Sequence, residues 1–417
     1  MRWLSHLIVP PTSCTTRHTL PLASASLDCP HYDACPGCSL TTALHEPPLM
    51  REARAWFTDR GVSLTSVAGS PHGWRTTAKL AVRANSRRGG PPLIGLFARG
   101  SHDVVDVPRC AVHHPSINRA VAAVRRALEA HELSCYDEAS HTGSLRYLLA
   151  SVERRTEKVQ LTLVANAADP ADRALGRFAR RLWEARGDAP LHSVWANANP
   201  TRTNTILSQA AGSWRLLAGE PSVREELSTG ARLVLPPFVF RQANLDAFDA
   251  IVERVMEAVP RGARVVEWYA GIGLLGLSLA PSCEWVRCSD LNPPRDAFEA
   301  SRELLPAEAR PRISYRVGAA EELVDEARDA EVAVVDPPRK GLEPGLLRAL
   351  CAPVDGGGPC ADLSTLVYVS CGWKALRRDA DSLLAAGWTV RGAEAEAHVL
   401  FMGADHIETL VVFERET

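Results

Sequence analysis

From about residue 245 onward the chain repeats a strand, a tight turn and a helix, and this rhythm restricts the fold more than any other feature. Apolar runs at 264–268, 285–289, 313–317, 331–335 and 366–370 alternate with Ala-, Leu- and Arg-rich segments. Strands joined through helices pair in parallel, so this half predicts a mostly parallel, doubly wound sheet. Such sheets take ligands outside the carboxyl ends of their strands. The residues just after each run are therefore the first candidates for chemistry.

The half before it reads differently. A Cys-rich turn at 29–38 is followed by a helical stretch at about 48–60. Segments such as Thr77-Ala78-Lys79-Leu80-Ala81-Val82 and Leu93-Ile94-Gly95-Leu96-Phe97 alternate with period two, as antiparallel strands with one solvated face do. An amphipathic helix at 116–131, strands near 145–153 and 158–165, a helix at 170–186 and a strand at 191–197 complete an α+β unit ending near 225. We thus expect a leader (1–28), a central α+β domain (29–225) and a C-terminal α/β domain (226–417). The leader has no Asp or Glu before Asp28 and is Ser/Thr-rich, like an organellar transit segment, a disordered leader or a misassigned start. No apolar run approaches the roughly 20 residues that span a bilayer.

With 47 Lys and Arg against 49 Asp and Glu, overall charge excludes nothing. Locally, Arg75, Lys79, Arg83, Arg87, Arg88, Arg99 and Arg109 face only Asp103 and Asp106. That cluster reads either as a phosphate-backbone footprint or as a solvated hairpin face.

Three strand ends in the C-terminal half carry a pattern. The run at 264–268 leads into Tyr269-Ala270-Gly271-Ile272-Gly273, with Gly276 completing G-x-G-x-x-G. Alone this is a weak sign of a nucleotide-type cofactor. The next strand ends at Asp290, placed to accept from a ribose diol. A later one ends in Asp336-Pro337-Pro338. In that order the three features resemble S-adenosylmethionine methyltransferases. An aromatic after Asp-Pro-Pro would suggest exocyclic-amine methylation; Arg339 stands there, which turns attention to a ring carbon. Carbon 5 of uracil becomes nucleophilic enough only after a thiolate adds to carbon 6, and a base must then remove the carbon-5 proton. Cys371, at the end of the run 366–370, fits the first role. Glu408, in Asp405-His406-Ile407-Glu408, fits the second, with His406 and Glu408 expected on one side of an extended segment.

Gln242 and Asn244 in Phe240-Arg241-Gln242-Ala243-Asn244, the loop Asp336-Pro337-Pro338-Arg339-Lys340-Gly341, Ser370-Cys371 and His406-Ile407-Glu408 together resemble the RNA uracil-C5 methyltransferase family. The resemblance covers about 29–417. It implies Cys371 as nucleophile, Glu408 as proton acceptor, and S-adenosylmethionine contacts from Gln242, Tyr269, Asp290 and Asp336, with Gly271 and Gly273 shaping the turn. The family commonly has Asp at the position of Glu267 and Cys at that of Ala270. The polar residues that it often carries before the His-x-Glu are absent from 399–404.

Cys29, Cys35 and Cys38, with Cys110 far beyond, supply four thiolates. The Cys-x2-Cys spacing suits zinc, and a distant fourth ligand suits an iron–sulfur cluster. The resemblance favours [4Fe–4S], in members lacking an N-terminal small β-barrel. Cys14, Cys135, Cys283, Cys288, Cys351 and Cys360 show no such pattern and are expected to pack. The expected fold is α/β: a Rossmann-like S-adenosylmethionine methyltransferase domain preceded by an α+β domain with a four-cysteine site. The expected protein is a monomer acting on structured RNA, ribosomal rather than transfer RNA on the resemblance. It would be cytoplasmic, or plastid or mitochondrial if the leader is a transit segment. A cytosine-C5 methyltransferase and a non-catalytic RNA-binding assembly factor are the alternatives.

Overall fold

The computed structural model describes residues 26–85, 90–130, 133–187 and 189–416 of the chain. Most of the expected leader, together with Cys14, Arg87 and Arg88, lies outside the described residues.

Helix α1 (Pro48–Thr58) begins on a proline, whose missing N–H is harmless in a first turn, and leads to β1 (Ser63–Ala68). Strands β2 (Thr77–Arg83), β3 (Leu93–Phe97) and β4 (Val104–Asp106) form an antiparallel meander. Then come α2 (Pro115–Glu129), β5 (Leu145–Glu153), β6 (Lys158–Ala165), α3 (Arg173–Glu184), β7 (Leu191–Ala198) and β8 (Trp214–Gly219). These strands make a seven-stranded sheet in the order β4-β3-β2-β5-β6-β7-β8. Only β6 and β7, joined through α3, run parallel. The apolar faces of α2 and α3 pack with this sheet in one core that includes Val121, Leu148, Leu161 and Phe178.

A short ribbon, β9 (Val223–Glu226) and β10 (Arg232–Leu235), leads to α4 (Leu245–Ala258), capped by the Asn244 side chain. Next are β11 (Arg264–Trp268), α5 (Leu274–Leu279), β12 (Trp285–Asp290), α6 (Arg295–Arg302), β13 (Ile313–Val317), β14 (Val332–Val335), α7 (Pro344–Leu350), β15 (Thr365–Ser370) and α8 (Trp373–Ala385). The chain closes with β16 (Thr389–Val399) and β17 (Glu408–Glu414). The eight-stranded sheet has the order β1-β16-β17-β15-β14-β11-β12-β13. Strands β15 to β13 in that row are parallel, as expected, and separate clusters of buried residues lie on the two faces. β17 enters antiparallel between β15 and β16.

One domain boundary needs correction. Residues 63–68 do not join the α+β unit expected over 29–225; β1 pairs in parallel with β16, so it edges the C-terminal sheet. Its half-buried alternation fits either sheet, and the exposed edge of β16 supplies the free hydrogen-bonding groups that take it. Buried ties join the two units elsewhere. The Arg241 guanidinium donates to Val152 O (2.8 Å) and Glu225 Oε1 (2.6 Å), and Thr76 N donates to Ala243 O (2.7 Å).

Candidate active site

Asp336 follows β14, Cys371 follows β15, and Glu408 opens antiparallel β17, so three strand ends deliver them to one edge of the sheet. The ladder sets Ser370 opposite Thr409, one residue short of Cys371 and Glu408. Gly372 permits the loops to meet: a Cβ there would lie 2.6 Å from Arg339 O. The Ser370 hydroxyl accepts from Gly372 N (3.2 Å), and α8 starts at the next residue.

The electrostatics of these groups are mutual. Burial, then the charges of Glu408 and Asp336, push the Cys371 thiol up to about 11, with Arg339 pulling the other way. Burial raises Asp336, which keeps some contact with solvent, to about 7. Glu408 is 3% exposed; burial and Asp336 lift it well above the usual carboxylate range, against Arg339. Neither carboxylate accepts a hydrogen bond among the described residues, so their oxygens remain available. His406 is half-buried and precedes β17 rather than lying in it. Burial and Arg339 lower the pKa of its imidazole, and neither ring nitrogen has a hydrogen bond of normal geometry among the described residues, although the Cys371 main chain is near. Its ring stands edge-on to Phe401 at 4.9 Å.

The glycine turn is a cradle of unusual backbone. Tyr269 (φ 62°), Gly271 (φ 57°) and Gly273 (φ 78°) are left-handed, which for Tyr269 is a strained state of the kind that clusters at ligand sites. Asp290 accepts from Gly271 N (3.0 Å) and Asn292 N (2.9 Å), and the Tyr315 hydroxyl donates to Gly271 O (2.6 Å). Buried Glu267 accepts from Gly276 N (2.9 Å) and from the Cys288 thiol (3.1 Å); burial lifts it to about 8. Asn244 Nδ2 donates to Leu400 O (2.8 Å), tying the α4 cap to the segment before His406. Gln242 is half-buried and makes no hydrogen bond among the described residues. The electrostatic role of Arg339, Tyr315 and the close approach at Gly372 escaped sequence reasoning, because they depend on contacts between distant loops. Phe240, two residues before Gln242, is 78% exposed, a signal that only the structure provides.

Cys29, Cys35, Cys38 and Cys110, all half-buried, line one cavity of about 170 Å³ between the cysteine turn and β2–β4. Burial and the neighbouring cysteines raise Cys38 to about 11. A single zinc ion needs its thiolates about 2.3 Å from one point. Among the described residues no three Cys, His, Asp or Glu side chains converge at metal-holding spacing. The same turn grips the segment before β17: Ser39 N (2.7 Å) and Leu40 N (2.9 Å) donate to Gly403 O, and Asp405 N donates to Ser39 Oγ (3.3 Å). Asp405 Oδ1 in turn accepts from Leu49 N (2.8 Å) at the start of α1.

Of the basic residues over 73–109, Lys79, Arg99 and Arg109 are exposed, whereas Arg75 and Arg83 are engaged by neighbours. Arg75 is largely buried, over the rings of Trp74 (4.8 Å) and Phe401 (5.8 Å). Arg83 pairs with Glu138 (2.9 Å) and packs over Tyr136 (5.3 Å).

No protein-family model matches the chain. It is 37% identical to an uncharacterised RNA methyltransferase of Protochlamydia amoebophila, over 95% of this chain and 99% of that protein. A second uncharacterised RNA methyltransferase, from Geobacter sulfurreducens, is 29% identical over 94% of this chain and 78% of its own. Among solved structures it is similar to the Pyrococcus abyssi tRNA (uracil-54, C5)-methyltransferase in complex with S-adenosyl-L-homocysteine. That match has a TM-score of 0.67 at 21% identity, over 88% of this chain and 82% of the other. No helix among the described residues is long and apolar enough to cross a membrane. The chain belongs to the RNA methyltransferase family and has the fold of a uracil-C5 member.

Proposed function

We propose that the protein methylates carbon 5 of a uridine in structured RNA through a bond between Cys371 and carbon 6. The convergence of one thiol and two unpaired carboxylates at a single sheet edge carries this reading. The cradle fits a cofactor: the left-handed main chain at Gly271 faces open space, Asp290 retains lone pairs for a diol, and Gln242 and Asp336 have free polar atoms. These residues would hold S-adenosylmethionine, which when bound supplies the methyl group that carbon 5 takes.

Each chain residue then has one task. The Cys371 thiol loses its proton to water as its sulfur bonds to carbon 6, and the carbon 5–carbon 6 π pair moves onto carbon 5 and the oxygen of carbon 4. After carbon 5 is methylated, the Glu408 carboxylate removes the carbon-5 proton. The freed C–H pair rebuilds the ring double bond and expels the Cys371 thiolate. A carboxylate raised by burial is the stronger base for that step. The target base must leave its stack to reach the thiol.

The four-cysteine cavity suits a [4Fe–4S] cluster better than one zinc ion, because its thiols line a common space without converging on a point. Cys29, Cys35, Cys38 and Cys110 would hold it, and its iron–thiolate bonds would fix the turn that grips Gly403. Ribosomal RNA as substrate rests on the resemblance of this cysteine pattern. Nucleoside analysis of ribosomal and transfer RNA from cells lacking the gene tests the function. One 5-methyluridine should vanish, and return with the wild-type gene but not with Cys371→Ala. Unchanged 5-methyluridine in both pools would refute the reading.

A further inference from the structure

Helix α3 carries Arg173, Arg177 and Arg180 at positions i, i+4 and i+7, hence on one face, and all three are exposed. Leu175, Phe178, Ala179 and Leu182 occupy the buried face. With exposed Arg215 of the edge strand β8, the three arginines line an open hollow of about 600 Å³. None of the four has an ion pair among the described residues, whereas Arg154, Arg241 and Arg125 each meet a carboxylate. The one carboxylate lining the hollow, Asp172, is engaged as the α3 cap, accepting from Leu175 N at 2.9 Å. Like charges at helical spacing disfavour a helix unless something outside neutralises them.

The hollow continues past Trp183 into a second one of about 320 Å³, which adds Lys158, Arg186 and His192, with Glu220 as its carboxylate. The Arg186 guanidinium lies over the Trp183 ring at 4.4 Å. Sheet register relates this end to the reaction site. Thr77, Ser151, Gln160, Ser193 and Gly219 form one row across β2, β5, β6, β7 and β8. Gly219 borders the second hollow, and Thr77 adjoins Thr76, which bonds the main chain next to Gln242. Four strand spacings, roughly 20 Å, separate the two ends of that row.

We propose that the α3–β8 groove is a remote docking surface for the phosphate backbone of the substrate RNA. It deepens the uracil-C5 reading by saying where the RNA is gripped away from the reacting base. A run of unpaired arginines beside one engaged carboxylate complements a polyanion, and α3 spaces Arg173 and Arg180 about 10 Å apart along its axis.

The test compares the full-length protein with R173E/R177E/R180E, using unmethylated ribosomal RNA from cells lacking the gene and a short oligouridine. Because the three side chains are exposed, S-adenosylmethionine binding and the circular dichroism spectrum should not change. Affinity for the ribosomal RNA should fall about tenfold or more near 0.1 M salt, and the slope of log affinity against log salt should flatten by about two to three. KM for that RNA should rise with kcat retained, and oligouridine binding should be nearly unaffected. Wild-type affinity and salt slope in the variant, or equal losses on both RNAs, would overturn the groove. If the wild-type protein leaves uridine unmethylated in every RNA, the uracil-C5 reading fails, while the binding comparison still decides the groove.

Discussion

At the residue scale the site is defined by groups whose ionisation burial opposes. Cys371 is a thiol at neutral pH because burial and two carboxylates oppose its ionisation, with Arg339 too weak to reverse them. Removing either negative neighbour should therefore release it. Alkylation by iodoacetamide at mildly alkaline pH, followed on the peptide containing Cys371, should be faster in Glu408→Gln and in Asp336→Asn than in the wild type; an equal or slower rate would mean that the carboxylates do not face the sulfur. Gly372 offers a steric test. A methyl group there would meet Arg339 O at 2.6 Å, so Gly372→Ala must separate the loops that carry Arg339 and Cys371. We expect a loss of about 1–3 kcal/mol in stability, as for other overpacked sites, with a larger fall in kcat than in cofactor affinity. Thermal melting and steady-state kinetics would measure both.

At the scale of elements, the cysteine turn and the segment 401–408 form one unit. Two main-chain donors of the turn converge on Gly403 O, and a Cβ on Gly403 would lie 3.3 Å from Cys38 Sγ. Anaerobically purified protein should accordingly be brown, with about four irons per chain. Cys38→Ser should lose the colour, speed amide exchange across 401–408 and lower kcat with cofactor binding intact. Colourless protein with one zinc, or exchange unchanged in the variant, would contradict this coupling. Much of the fold was legible because parallel strands buried on both faces, such as Val265-Val266 and Leu366-Val367, read as continuous apolar runs. β16 did not, since Arg391, Glu394 and Glu396 interrupt its apolar alternation toward the sheet edge. Cys371, Glu408 and Asp336 were readable as strand-end motifs. The stack of Arg75, Phe401 and His406 was not, because its members are brought together only by tertiary packing.

For the whole molecule, buried carboxyls lower stability as they ionise. Asp336 has its folded value raised from 3.8 to about 7. Below pH 4 both folded and unfolded chains hold its proton; between pH 4 and 7 only the folded chain does, so this stabilisation is lost as pH rises through that window. The stability of Asp336→Asn minus that of the wild type should grow across it by roughly 2–4 kcal/mol. Each pH unit of the window contributes about 1.4 kcal/mol, lessened by the partial solvent contact of the carboxyl. Denaturant titrations at several pH values would show it, and a difference independent of pH would disprove the raised value. The proposed chemistry requires a bond between Cys371 and carbon 6 of a uridine. Its most direct test is incubation of the protein with methyl-labelled S-adenosylmethionine and ribosomal RNA containing 5-fluorouridine, whose fluorine cannot leave as a proton. A labelled protein–RNA adduct that survives denaturation and maps to the Cys371 peptide should form; label confined to free RNA, with no adduct at Cys371, would contradict that bond.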